Sequence, residues 1–197
     1  MTRTVEVDHD RLGRWLAGFA DRHGPIAIDG GHIVSADGAQ ATLASWGTVH
    51  AASVEDLIAA TAPPGRIGLL LIRRGGYAVA VAEGAALATR KVGRRHVQSR
   101  TAAGGWSQQR FARRRGKQAD ELVTAVTEHA VTHLRDARLE ALVRGGDRTL
   151  VAAVIEDPRL AGLRTLPARD LYDLSDPTPA VLEHAVRRAR SVRITLD

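Results

Sequence analysis

IGLLLIRRGGYAVAVAEGAALATRKV, residues Ile67–Val92, is the stretch that decides the fold. Its first six residues form a continuous apolar run, as a strand covered on both faces requires. Arg74-Gly75-Gly76 supplies a turn into a second strand, Tyr77–Ala82, and Glu83-Gly84 turns the chain into a third, Ala86–Val92. A basic segment follows, and after it the period changes to that of a helix. Leu122, Val123, Val126, Ala130 and Leu134 make the buried stripe of that helix, while Arg110, Arg113, Arg114 and Lys117 occupy its first turns. Positive charge there opposes the helix dipole, which favours anions at the N-terminus. A local rule broken in this way points to a functional demand.

Working outward, Leu139–Val143 and Thr149–Ile155 read as strands, the second running into Glu156-Asp157-Pro158. Residues 178–190 read as a closing helix with Pro179 in its first turn. Upstream, Pro63-Pro64-Gly65 breaks the chain and divides an N-terminal subregion, residues 1–62, from the main region, residues 63–197. In the subregion, Leu12, Trp15, Leu16 and Phe19 lie at helical spacing within residues 8–22, and His23-Gly24-Pro25 ends that helix. Residues 26–46 hold two short alternating runs around Gly30-Gly31 and Asp37-Gly38, which read as hairpins, and Val54–Ala60 reads as a short helix. The fold class expected is α/β (α+β). It is a mixed β-sheet flanked by helices, with a protruding basic Gly-Gly loop at residues 93–109 and an N-terminal helix and hairpin subregion. No internal repeat and no low-complexity tract is evident.

At 197 residues the chain is one domain, or one with a small appendage, long enough to bury a real core. Aromatic residues are only 4%, so that core is built from Leu, Val, Ile and Ala. No run of about 18 apolar residues is present, so nothing is expected to span a membrane. The N-terminus has acidic residues where a signal peptide needs an apolar stretch. The absence of cysteine excludes disulfides and thiolate metal sites and fits a cytoplasmic protein.

The formal charge is +6, and its location matters more than its size. Between Gly84 and Ala119 lie ten Lys and Arg and no Asp or Glu, while the remaining 18 basic and 22 acidic residues leave the rest of the chain at −4. A solvated face mixes both signs. A one-sign block beside a glycine loop reads as the footprint of a polyanion. Arg94, Arg95, Arg100, Arg110, Arg113, Arg114, Arg115 and Lys117 are the candidate RNA contacts.

Within this block stands GGWSQQRFARRR, residues 104–115. It resembles the catalytic loop of archaeal and eukaryotic class I release factors, in which Gly-Gly-Gln-Ser is followed two residues later by Arg-Phe and further arginines. Gly104, Gly105, Ser107, Arg110, Phe111 and Arg113 stand in that spacing. The three strands entering the loop are similar too, and the likeness continues weakly through the helix and the strand near Val151, covering about residues 66–190. Trp106 occupies the release-factor glutamine position, and Gln108 and Gln109 follow two and three places later. That placement resembles the Vms-type peptidyl-tRNA hydrolases and the actinobacterial Vms-like release factors, whose loop glutamine follows a glycine and a small or serine position.

The resemblance implies a peptidyl-tRNA hydrolase acting on the ribosome's large subunit, with Gln108, or alternatively Gln109, as the catalytic residue. A glutamine amide has no useful pKa and cannot act as a general base. It can position water and donate a hydrogen bond as charge develops on the ester carbonyl. Gly104 and Gly105 allow positive φ and close approach to RNA. The arginines pair with phosphates and position the loop without reading sequence. Trp106 either stacks on a base or covers the helix start. The chain is too short to add a separate codon-reading domain, so rescue of stalled complexes is expected rather than normal termination. The competing reading is a ribosome- or RNA-binding factor whose loop occupies a site without catalysis, and an ordinary loop with Ser107 as helix cap is the plain structural one. No cofactor is implied, and the protein is read as a monomer.

Other constellations are poorer. His129 and His133 lie one helical turn apart, a possible metal pair, but no third ligand is evident. His96 sits among arginines and either touches phosphate or fills the loop. Asp29 and Asp37 are turn residues. A metal-dependent nuclease would want carboxylates on the central strands, where Ile67–Arg74 ends in arginines. No phosphate-binding P-loop or dinucleotide fingerprint occurs.

Overall fold

The computed structural model describes residues 2–94 and 106–197, with side chains in the second stretch from residue 116 onward. The chain forms two compact units, Met1–Pro64 with Arg187–Asp197, and Gly65–Val186. Each carries its own five-stranded sheet.

In the first unit, β1 (Arg3–Asp8), β2 (Ile26–Asp29), β3 (His32–Ser35) and β4 (Gln40–Ala44) are joined by β10 (Ser191–Leu196) in the order β1-β10-β4-β3-β2. All pairings are antiparallel. Helix α1 (Leu12–His23) follows a single 3-10 turn and sets Leu12, Leu16 and Phe19 against Ile33, Ala41, Leu43, Val192 and Ile194. Helix α2 (Val54–Ala60) adds Leu57, and its N-cap Ser53 accepts the Asp56 N–H at 3.1 Å. The two hairpin turns fall where the glycines permit positive φ, at Gly30 (φ 58°) and Gly38 (φ 89°). Sequence reading placed residues 187–197 with the region beginning at residue 63. They group instead with the first unit, because β10 pairs with both β1 and β4.

The second unit opens with β5 (Arg66–Arg73), β6 (Gly76–Glu83) and β7 (Ala86–Arg94), an antiparallel meander in the expected places. Helix α3 (Trp106–Leu134) returns the chain to β8 (Ala141–Gly146), which lies parallel to β5. Helix α4 (Arg148–Ile155) and a 3-10 segment, Pro158–Thr165, lead to β9 (Ala168–Leu171), parallel to β8. The sheet order is β7-β6-β5-β8-β9. Helix α5 (Pro179–Arg190) closes the chain before β10, with Pro179 at its first position and the Thr178 hydroxyl accepting the Val181 N–H at 3.2 Å.

α3 and α4 cover one face of this sheet. Leu122, Val126, Ala130 and Leu134 of α3 meet Leu70, Ile72, Tyr77, Val79 and Val81, with Leu150, Val151 and Val154 of α4 in the same core. The opposite-face residues of β5 and β6, among them Leu69, Leu71, Ala78 and Ala80, are also fully buried. Burial on both faces is why β5 reads as an unbroken apolar run. Gly68 exists for packing: a Cβ there would meet Leu139 Cδ1 at 2.5 Å.

One element differs from expectation. Thr149–Ile155, read as a strand, lies in helix α4. Its apolar run TLVAAVI is equally compatible with either period. Asp147 decides the matter: its carboxylate accepts the N–H groups of Thr149 and Leu150 at 3.0 and 3.2 Å, an N-cap that starts a helix. Leu150, Val151, Val154 and Ile155 then form one buried helical face. Strand β8 also begins two residues later than expected and runs through Gly145 and Gly146, following the register of β5.

Candidate functional site

The site begins where β7 ends. The β6–β7 pairing runs as far as Gly76 opposite Arg94, so Gly93 and Arg94 belong to a strand and not to a loop. α3 is already helical at Trp106. The connection is therefore residues 95–105, shorter at both ends than the 93–109 loop read from sequence. Trp106, Ser107, Gln108 and Gln109 fall on the first turn of α3, followed on the same helix by Arg110, Arg113, Arg114, Arg115 and Lys117. Gly104, Gly105, Arg95, His96 and Arg100 lie outside the described residues, as do the side chains of 106–115. The first turn of α3 carries no acidic residue, so no carboxylate there offsets the basic residues against the helix dipole.

Strand β7 is half of the frame that holds this connection. Gly93 matters there because a Cβ would meet the Tyr77 ring at 2.4–2.5 Å, and that ring stacks on His129 of α3 with centroids 5.4 Å apart. The strand before the connection and the helix after it are thus keyed together through one aromatic contact. The His129 imidazole is held below its ordinary pKa, first by burial and then by the charges of Lys91 and His133. It is a packing residue with positive neighbours. Among the described residues no group of three or more His, Cys, Asp or Glu is placed to hold a metal ion.

Arg90 and Lys91 are exposed on β7 beside Arg94. Sequence reading counted them in the basic block without singling them out, since strand position was needed to see which way they face. At the far side of the sheet a cavity of about 210 Å³ is lined by Leu142, Val151, Ile155 and Leu163, with Arg144, Arg164 and Tyr172 among its polar groups. Arg144 donates to Asp170 at 2.7 Å, and Arg164 donates to Glu156 at 3.4 Å. The Tyr172 phenol is pushed up by burial first and the Asp170 charge second. With its charges matched internally and a volume below the roughly 300 Å³ of small ligand pockets, this cavity is a poor substrate site.

Residues 65–195 match the family model of the Actinobacteria/chloroflexi VLRF1 release factor. The chain belongs to this release factor family. The match opens on Gly65, the first residue of the second unit, and takes in the sheet, the basic connection and α3. Residues 1–64 lie before it. No curated protein matches the chain. Membership of the VLRF1 release factor family places the protein in translation, in association with the ribosome. No helix among the described residues is long and apolar enough to cross a membrane.

Proposed function

We propose that this VLRF1 release factor is a peptidyl-tRNA hydrolase that frees nascent chains from stalled ribosomal complexes. The observation that carries this reading is the acid-free basic segment that runs from β7 into the first turn of α3 of a release factor unit and holds Gly104, Gly105, Ser107 and Gln108. The reaction is attack of water on the ester that joins the peptide to the terminal ribose. The water oxygen bonds to the ester carbonyl carbon, its proton is lost to the surroundings, and the ribose oxygen leaves and is protonated.

Gln108 positions the water and donates to the developing oxyanion, with Gln109 as the alternative. Gly104 and Gly105 let the backbone approach RNA closely. Arg95, Arg100, Arg110, Arg113, Arg114, Arg115 and Lys117 pair with phosphates of ribosomal RNA and tRNA and hold the register. The RNA of the large subunit supplies a preorganised, water-poor setting. The protein would act in the cytoplasm, where its substrates are.

Trp106, at the position where class I release factors carry their glutamine, favours a second reading: a ribosome-binding factor without catalysis. Peptide release from isolated large subunits carrying peptidyl-tRNA decides between them, with co-sedimentation as the binding control. Release by wild type, lost in Gln108→Ala with binding retained, is the expected result. Loss in Gln109→Ala alone moves the register by one residue. Binding with no release on any stalled substrate leaves the non-catalytic reading.

A further inference from the structure

The outer strand of the second sheet carries charge that no carboxylate among the described residues pairs with. Among the described residues β7 pairs only with β6, so its other edge is open. Arg90, Lys91 and Arg94 are exposed along it, and no ion pair joins any of them to a carboxylate among the described residues. Several other arginines of the same unit do pair with carboxylates. Arg66 pairs with Glu83, Arg144 with Asp170 at 2.7 Å, Arg159 with Glu128 at 2.7 Å and Arg164 with Glu156 at 3.4 Å. An edge strand is commonly protected by charge, but protection alone does not require that the charge be of one sign and unpaired.

The register sorts these side chains. Tyr77 and Val79 point into the core under α3, and they stand opposite Gly93 and Lys91. Lys91 therefore lies on the α3 side, where His129 feels its charge and that of His133. Arg90 and Arg94, opposite Ala80 and Gly76, lie on the other side. Four residues apart on one strand face, they are about 13 Å from each other. The edge thus presents positive groups on both sides, two arginines on one and a lysine on the other. A single-sign ridge that embraces an edge fits a phosphate backbone running along it.

We infer that the β7 edge, where Arg90 and Lys91 extend the contact surface beyond Arg94 of the basic segment, grips the acceptor arm of the substrate tRNA. This rests on the peptidyl-tRNA reading above. The acceptor arm is favoured over ribosomal RNA because it is covalently tied to the ester. Whatever complex is the substrate, that strand leads away from the connection that β7 feeds.

The test compares wild type, Arg90→Gln/Arg94→Gln and Lys91→Gln with Arg135→Gln/Arg164→Gln, which removes two positive charges that are already paired with Asp136 and Glu156. Binding of deacylated tRNA and of vacant large subunits is measured across salt concentrations, and thermal melts establish that each variant folds. The β7 double variant is expected to lower the slope of log K against log salt for tRNA by about 1.4–1.8, two phosphate contacts' worth, while the paired control leaves it unchanged. A tRNA affinity and slope equal to the control's overturn the inference. So does a loss confined to vacant subunits, which would assign the edge to ribosomal RNA. Peptide release is run in parallel. A wild type that releases nothing, while the β7 variants still lose tRNA affinity, sinks the hydrolase reading and leaves this one standing.

Discussion

At the scale of single residues, the most exacting test falls on Gln108. If its amide donates to the developing oxyanion, Gln108→Ala should lower the release rate about 10²–10³-fold. Ribosome binding should be unchanged, because the arginines that hold the register are untouched. A single-turnover release assay on peptidyl-tRNA-loaded large subunits reads this directly. Gly93 makes a second prediction, one of packing. A methyl there collides with the Tyr77 ring at 2.4–2.5 Å, and that ring is buried and stacked on His129. Gly93→Ala should cost about 1–3 kcal/mol, read as a lower denaturant midpoint, and should displace the ring that keys β7 to α3. Neither role is visible in composition. Gln108 emerged from its place in a motif, whereas the demand on Gly93 emerges only when Tyr77 is seen lying across it.

Elements show why some stretches were legible and others were not. β5, β6 and β7 announce themselves by an apolar run and by the turn residues that separate them, and they form where the pattern puts them. α3 keeps its stripe because Leu122, Val126, Ala130 and Leu134 recur every four residues and each is buried. Thr149–Ile155 misleads because a short apolar run has no period of its own, and the deciding contact is the cap made by Asp147. Asp147→Ala should therefore destabilise the second unit by about 1 kcal/mol, whereas Asp147→Asn, which retains the acceptor, should be close to wild type. Chemical denaturation of the two variants separates a capping role from a charge role. β9 escaped notice for another reason. Its four residues, Ala168–Leu171, include Arg169 and Asp170, and only the parallel register beside β8 makes a strand of them.

On the scale of the molecule, charge and chain order set two further expectations. Asp37, Glu128 and Asp157 are held below their ordinary values. Asp37 is lowered to about 2, chiefly by the Ser35 hydroxyl and then by His23. Glu128 and Asp157 are lowered chiefly by hydrogen bonds from Arg159. For a depressed acid the stabilisation is present above the unfolded pKa, here 3.8 for Asp and 4.5 for Glu, and is lost as pH falls toward the folded value. The thermal midpoint should begin to decline near pH 6.5, because His129 too is held below its ordinary value, and the carboxylate contribution should be lost from about pH 5 down to about pH 2. Arg159→Gln should flatten part of that descent, and a parallel curve would remove the Arg159 cluster from the account. The second expectation concerns β10. It pairs with both β1 and β4, so deleting residues 191–197 breaks the first sheet in its interior. Amide hydrogen exchange should then lose protection in β1 and β3–β4 while the β5–β8 core retains its own.

What the sequence by itself determined is local: the meander from Ile67 to Val92, the helices read at residues 8–22, 54–60 and 178–190, the confinement of the net positive charge to one segment, and the motif within it. Periodicity, turn residues and charge order are properties of neighbours along the chain, and they survive without knowledge of the rest. The tertiary structure alone decided that the last strand completes the first sheet, that Thr149–Ile155 coils, that Tyr77 spans Gly93 and His129, and that Arg90, Lys91 and Arg94 line an open edge. Each of these depends on residues distant in sequence brought to a few ångströms, where a cap, a register or a missing Cβ outweighs a propensity worth only tenths of a kcal/mol.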